Sequence, residues 1–390
     1  MPKLPDYIGP VAFGLKMGVI LPGTDLIGEI TAVLKKAADD ELLSACDVVC
    51  VTESVVARSQ NNYVTIDRVA EEIKSKLQLA GAARIGVVFP ILSRNRFALI
   101  LKAISRAAEG GEVIVQLSFP CDEVGNPVVA PEALEKLPCN DGTVAYEKLD
   151  PACCVHPVTR VNYLDLYRNI IANEGAKATL FLGNDPQAVL ACRPDGVIAA
   201  DIHGREKTRA KLAAAGAQKV ITLQELCSTG EAASEWGLLG SNMSANDRLK
   251  LAPRNAGAFA KKLQAELARA TGLTLEVLVY GDGAYKDPST GIYELADPMP
   301  VFGMTDGICG RYRMGVKYKY LADICHAEGK TAAEIEAMLS AQRREKFGEN
   351  DLLMEGTTPR RLEDVIASLA DLVSGSADAG TPVVVVKGIL

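Results

Sequence analysis

Histidine is scarce in this chain, with three among 390 residues. A histidine-built metal centre has little to draw on, and Cys153, Cys154 and His156, although close together, have a spacing that fits no common metal finger. The ten cysteines include no C-x-x-C and no paired spacing of a zinc site or disulfide framework. Many sit inside apolar segments, where a reduced thiol acts as a small hydrophobe. No apolar run approaches the roughly 18 residues of a membrane span. The opening M-P-K-L-P-D-Y lacks the basic flank and apolar core of a signal peptide, so a cytoplasmic protein is expected. Basic blocks are missing too. With a net charge of −7 the chain offers no nucleic-acid surface, and an acidic ligand must be met by a few local Arg and Lys residues.

What is present is apolar residue in quantity, 48% of the chain, enough for two or three domains with sizeable cores. The most informative stretch is V-L-V-Y-G-D-G-A-Y-K-D-P, Val277 to Pro288. Thr274 to Tyr280 reads as a buried strand that runs into a turn in which Gly281 and Gly283 flank Asp282. Glycines on both sides allow positive φ and leave open space before a carboxylate, or simply make a turn.

Upstream, K-M-G-V-I-L-P-G-T-D predicts an extended piece and a Pro-Gly turn, and Thr24 or Asp25 caps a helix with Leu26, Ile30 and Leu34 on one side. Cys46 to Thr52 reads as a strand. E-S-V-V-A-R-S-Q-N-N, which holds Arg58, reads as a polar run before an amphipathic helix from Thr65 to about Leu79. Between about 83 and 235, short apolar strands alternate with helices, the pattern of a three-layer sheet whose ligands sit beyond the strand ends. This draws notice to Ser93, Arg94, Asn95 and Arg96, and to Asp201, His203 and Arg205. Two arginines at a helix start oppose its dipole and want an anion nearby. Near the C-terminus, Thr331 and Glu334 form a capping box for a helix from Ala332 to Phe347. A further helix starts at Thr358 and Pro359, with Leu362, Ile366, Leu369 and Leu372 or Val373 as its buried stripe. It breaks at S-G-S-A-D-A-G-T, a loop able to wrap phosphate oxygens, before the strand Pro382 to Val386.

Together, D-V-V-C-V-T-E-S-V-V-A-R near the N-terminus and D-V-I-A-S-L-A-D-L-V-S-G-S-A-D-A-G-T-P-V-V-V-V-K-G at the C-terminus resemble the coenzyme F420-0:γ-glutamyl ligase family. The resemblance covers roughly residues 14 to 80 and 236 to 390. It implies a mixed α/β ligase core built from residues 1–82 and 236–390, with an inserted three-layer α/β segment at 83–235. It also implies a homodimer that uses GTP (or ATP) and Mg²⁺ or Mn²⁺ to join L-glutamate to an acid substrate through an acyl phosphate. Carried over by position, the nucleotide meets Met17, Gly18, Val19 and Ile20, then Glu53, Ser54 and Arg58 (where the family usually has Lys), Ser241 and Asn242, and the terminal loop with Gly375 and Ser376. Asp282 matches a metal ligand, and Lys286 follows it as a partner for phosphate or carboxylate. The sequence departs from the family at Leu239, Gly283 and Ser376, where oxygen ligands are expected. One carboxylate cannot hold two metal ions without help; Asp287, Glu294, Asp297, Asp306 and Asp378 are the nearby replacements, and Arg360 and Arg361 are further anion partners. Three other readings stand beside this one. They are a ligase for folate or another cofactor acid, a nucleotide- or phosphometabolite-binding protein that has lost catalysis, and chemistry placed in the insertion at Asp201, His203 and Arg205.

Overall fold

The computed structural model describes residues 4–5, 7–130, 132–133, 142–157, 159–245, 247–281, 285–286, 293–294, 296–313, 317–342, 360–374 and 380–390. The chain opens with β1 (Val11–Leu15), α1 (Leu26–Asp39), β2 (Val48–Thr52), α2 (Glu53–Ser59), β3 (Tyr63–Thr65) and α3 (Ile66–Lys76). Asp25 caps α1 by accepting from the Gly28 N–H, and Leu26, Ile30 and Leu34 are its buried side, as the sequence predicts. Thr65 caps α3 in the same way through the Arg68 N–H. The expected polar run after β2 is instead the helix α2, which buries Val56 and Ala57. Two turns with two apolar contacts are too short to show a helical period.

Next come β4 (Arg84–Val88), α4 (Phe97–Ala107), β5 (Glu112–Leu117), β6 (Thr143–Ala145), α5 (Tyr163–Asn173), β7 (Lys177–Gly183), β8 (Gly196–Ala199), α6 (Arg205–Ala214) and β9 (Val220–Thr222). They make a sheet of order β6-β7-β5-β4-β8-β9. It is parallel except for β6. Residues of α4 and α5 pack on one face and Leu212 of α6 on the other, the three layers expected of the inserted segment. Its larger core also takes in Val69, Ile73 and Leu77.

The chain then returns through β10 (Asn242–Ala245), β11 (Arg248–Lys250), α7 (Ala256–Thr271), β12 (Glu276–Tyr280), β13 (Tyr285–Lys286), β14 (Tyr293–Glu294), β15 (Val301–Met304) and β16 (Tyr312–Arg313). It finishes with α8 (Tyr318–Ala327), α9 (Ala332–Gln342), β17 (Arg360–Arg361), α10 (Leu362–Ser374) and β18 (Val383–Lys387). The Thr331–Glu334 capping box forms at the start of α9.

The other large sheet runs β1-β18-β2-β12-β15. Its strands read as unbroken apolar runs because both faces are covered. Val49, Val51, Val277, Val279, Val383 and Val385 face α1 and α7, while Val48, Cys50, Leu278, Tyr280, Val384 and Val386 face α10. On α10, Leu362 and Ile366 are buried as predicted and Ile366 is fully enclosed, which contributes about 1.5–3 kcal/mol. Leu372 and Val373 are not buried, being 65% and 41% exposed. The buried face at the end of the helix passes through Asp371 and Ser374 instead.

The register of this sheet decides where its loops meet. β2 and β12 are parallel, with Thr52 beside Tyr280. β18 runs against β2 and β1, so its first residue, Val383, sits beside Val51 and beside Leu15, the last residue of β1. Four connections therefore open at one sheet edge: the exits of β1, β2 and β12 and the entry to β18.

Candidate functional site

A cleft of about 860 Å³ lies over that edge. The first loop contributes Gly18, Val19 and Ile20; the exit of β2 contributes Glu53, Ser54 and Arg58; and Tyr280 and Gly281 end β12. Asp371, Ser374 and Thr381 come from the two sides of the terminal loop, and the Tyr280 and Ser374 hydroxyls are hydrogen-bonded across it. Asn242 and Met243 of β10 and Lys250 of β11 form the opposite wall, with Ser93, Asn95 and Arg96 from the inserted segment. The Met243 N–H donates to the Asn95 carbonyl at 2.7 Å, which fixes this wall to the insertion.

Of the residues the sequence singles out, Gly18, Val19, Ile20, Glu53, Ser54, Arg58 and Asn242 therefore share one cavity. Met17 is half-buried behind it against the α1 and α7 core, and its N–H donates to the Gly380 carbonyl at 2.9 Å. Ser241 lines a small apolar space next door with Phe97, Ile100 and Ile202. It is buried, and its hydroxyl has no partner among the described residues. Lys286 contributes main chain to β13. Asp282, Gly283, Asp287, Gly375, Ser376 and Asp378 lie outside the described residues.

Two buried ion pairs set the electrostatics. Lys250 Nζ donates to both oxygens of Glu53, at 2.7 and 2.8 Å, and the two side chains are only 9% and 7% exposed. Burial pushes the Glu53 carboxyl above its ordinary range; Lys250 pulls it back, the nearby Asp297 adds to the rise, and Arg96 opposes it. Arg96 Nη1 donates to Asp297 Oδ1 at 2.7 Å, with Asp297 2% exposed. This is the anion that the arginines at the start of α4 want. Arg94 stays exposed. Gly281 is required for space rather than for positive φ, since a Cβ there would come within 2.3 Å of Asp297 Oδ2 and 2.6 Å of a Phe302 ring carbon.

The remaining charged candidates lie elsewhere. Asp306 is 86% exposed and pairs with Lys261. Arg361 pairs with Glu363, and Arg360 is exposed. Asp201 is buried at a separate cavity of the inserted sheet, whereas Arg205 does not line that cavity and donates to Gln224. Sequence reasoning missed Lys250 and Asp371. The only local sign of Lys250 was a charge in the short strand R-L-K, and Asp371 stood one residue short of the apolar pair taken for the stripe.

Among the described residues no helix is long and apolar enough to cross a membrane. No curated protein matches the chain. The two terminal segments that carry the family motifs both contribute lining residues to this cleft. The profile of one family runs through both and across the insertion between them, matching residues 14–388, and the chain belongs to that family, F420-0:Gamma-glutamyl ligase.

Proposed function

We propose that the cleft joins L-glutamate to a carboxylate of a cofactor acid, F420-0 or a relative of it, at the expense of GTP or ATP. The observation that carries this reading is the convergence of four strand ends of one sheet on a single cavity, which gathers the first loop, Glu53, Arg58, Gly281 and the flanks of the terminal loop. Its volume lies within the range of small-molecule sites, roughly 300–1,000 Å³.

Amide formation from a carboxylate needs an activated acyl group. The acid's oxygen takes the terminal phosphoryl group of the nucleotide, releasing the diphosphate. The glutamate nitrogen then attacks the acyl carbon, loses a proton and expels inorganic phosphate. Arg58, exposed at the rim, suits the phosphates, and backbone at Gly18 to Ile20 offers N–H groups without bulky obstruction at Gly18. Glu53, with its carboxyl raised by burial, is placed to take the amine's proton, which leaves a neutral carboxyl beside the Lys250 ammonium. Ser93, Asn95 and Arg96 put the inserted segment on the wall where the acid substrate would rest.

A divalent cation supplies charge neutralisation at transferring phosphoryl groups. Among the described residues no three His, Cys, Asp or Glu side chains stand together as a metal site. Of the described carboxylates lining the cleft, Glu53 is held by Lys250 and Asp371 is also engaged, and Asp297 beside them is held by Arg96, so these alone do not fit Mg²⁺ or Mn²⁺. A metal would depend on Asp282, outside them. This favours as second reading a nucleotide-binding protein without turnover. The homodimer belongs to the same proposal, and the exposed Leu372 and Val373 on α10 and Tyr320 and Ile324 on α8 support it as apolar surface. Sedimentation at micromolar concentration tests it, and a monomer would refute it.

The decisive experiment supplies the purified chain with L-glutamate, GTP or ATP, Mg²⁺ or Mn²⁺, and a panel of acids that includes F420-0 and folate. Phosphate release that requires both acid and amine, with a glutamylated product by mass, is expected. Tight metal-independent nucleotide binding with no phosphate release from any acid would overturn the ligase reading in favour of the binding protein.

A further inference from the structure

We propose that the crevice over β4 and β8 is a second small-molecule site, taking a compact anionic metabolite that also carries a hydroxyl or amino group. Nothing in this assignment depends on the ligase chemistry, since the crevice shares no lining residue with the 860 Å³ cleft.

Strand order creates the space. β4 has β5 on one side and β8 on the other, so the connections leaving β4 and β8 part at their C-terminal ends. In doubly wound sheets that parting is where ligands bind. Here a cavity of about 330 Å³ opens, lined by Ser118 beyond β5, Glu123, Asp201 beyond β8, and Lys207, Thr208 and Lys211 on α6. The volume is at the lower end for small-molecule sites, between amino acid and mononucleotide in scale.

Two features point to an occupant. Asp201 is 4% exposed; its Oδ2 accepts from the Thr208 hydroxyl at 2.8 Å, but its Oδ1 has no hydrogen-bond partner among the described residues. A buried carboxyl oxygen left without a partner is unfavourable, and a donor on a ligand would satisfy it. Burial also pushes this carboxyl up to about 6, so it passes between acceptor and donor near neutrality. The second feature is Lys207 and Lys211, one turn apart on α6. Both border the cavity, and neither side-chain ammonium has an ion pair or hydrogen bond among the described residues.

The other charges nearby are already engaged. Glu123 accepts from the N–H groups of Ile202, His203 and Gly204, so the start of α6 carries its own anion. Asp122 accepts from the N–H groups of Leu92 and Asn126 and from the Asn126 amide. An incoming acid group is thus directed to the two lysines, and its neighbouring hydroxyl or amine to Asp201. Both a free amino acid and a small phosphate ester have this chemistry.

Titration calorimetry of the full chain with L-glutamate, glycerol 3-phosphate and GMP tests the assignment and separates the two sources. At least one probe is expected to bind with Kd of about 1 mM or tighter. Lys207→Ala with Lys211→Ala should weaken it about tenfold or more, Asp201→Asn should weaken it as well, and the melting temperature of the lysine variant should stay at the wild-type value. Failure of all three probes to bind would overturn the proposal, as would binding that survives the lysine variant. Competitive displacement by GTP would also overturn it, because the probe would then occupy the large cleft. Loss of ligase activity in the assay above would leave this result standing.

Discussion

Replacing Lys250 by Met tests the electrostatic account of the cleft most directly. Lys250 Nζ sits 2.7 and 2.8 Å from the Glu53 oxygens with both side chains at least nine-tenths buried. At an effective dielectric constant near 20 the gross attraction at that distance is roughly 6 kcal/mol. Much of it offsets the desolvation of both ions, so the intact pair contributes little net stability. Removing one partner is a different matter, because the other charge stays buried, and the expected loss is about 3–5 kcal/mol. For a chain of 390 residues that corresponds to a fall in melting temperature of roughly 5 °C. The pH dependence has a definite sign. Without the lysine, the folded pKa of Glu53 rises further above its unfolded value. The neutral carboxyl then favours the folded state at low pH, and this is lost as pH rises through the folded pKa. The deficit of Lys250→Met should therefore shrink on going from pH 8 to about pH 5. Glu53→Gln with Lys250→Met should recover most of the loss, since no uncompensated charge remains. Calorimetric melting across this pH range is the assay. A single variant that melts within about 1 °C of wild type, or a double variant no more stable than the single, would refute the reasoning.

Three more outcomes follow from the same structure. Arg58→Ala, at an exposed position, should raise the nucleotide Kd about tenfold and change stability by less than about 0.5 kcal/mol, measured by calorimetry with GTP and by urea unfolding; unchanged affinity would remove Arg58 from the site. Asn62, fully buried, donates to the Ala233 and Ala252 carbonyls and accepts from the Ala233 N–H, so Asn62→Ala should destabilise by about 3 kcal/mol in urea unfolding. Burial raises Asp122 from 3.8 to about 6, and backbone and Asn126 donors only partly oppose it. The folded state then holds a proton that the unfolded state has released between those values, so stability should fall by on the order of 3 kcal/mol from pH 4 to pH 7, and Asp122→Asn should flatten that part of the profile.

The parts of the fold legible in the sequence are those specified by neighbours. The runs V-V-C-V and V-V-V-V read as strands because a sheet covered on both faces needs no polar alternation, and caps such as Asp25 and Thr65 act within three residues of themselves. The reading of α10 went astray at Leu372 and Val373 for a reason that bears on function. An apolar pattern assumes that the buried face is greasy throughout, whereas the end of this helix turns Asp371 and Ser374 toward the cleft and leaves the apolar pair outside. The charges that organise the site were harder still, since Lys250 lies 197 residues from Glu53 and Arg96 lies 201 from Asp297. No local pattern encodes such a pairing. The second pair also changes how the insertion should be regarded. Asp297 lies in the ligase core next to Gly281, is 2% exposed, and takes a hydrogen bond from an arginine at the start of α4. Cutting out residues 83–235 and closing the gap would leave that carboxylate buried without Arg96, with the same kind of penalty as Lys250→Met. The inserted segment is therefore part of the wall and of the charge balance of the cleft.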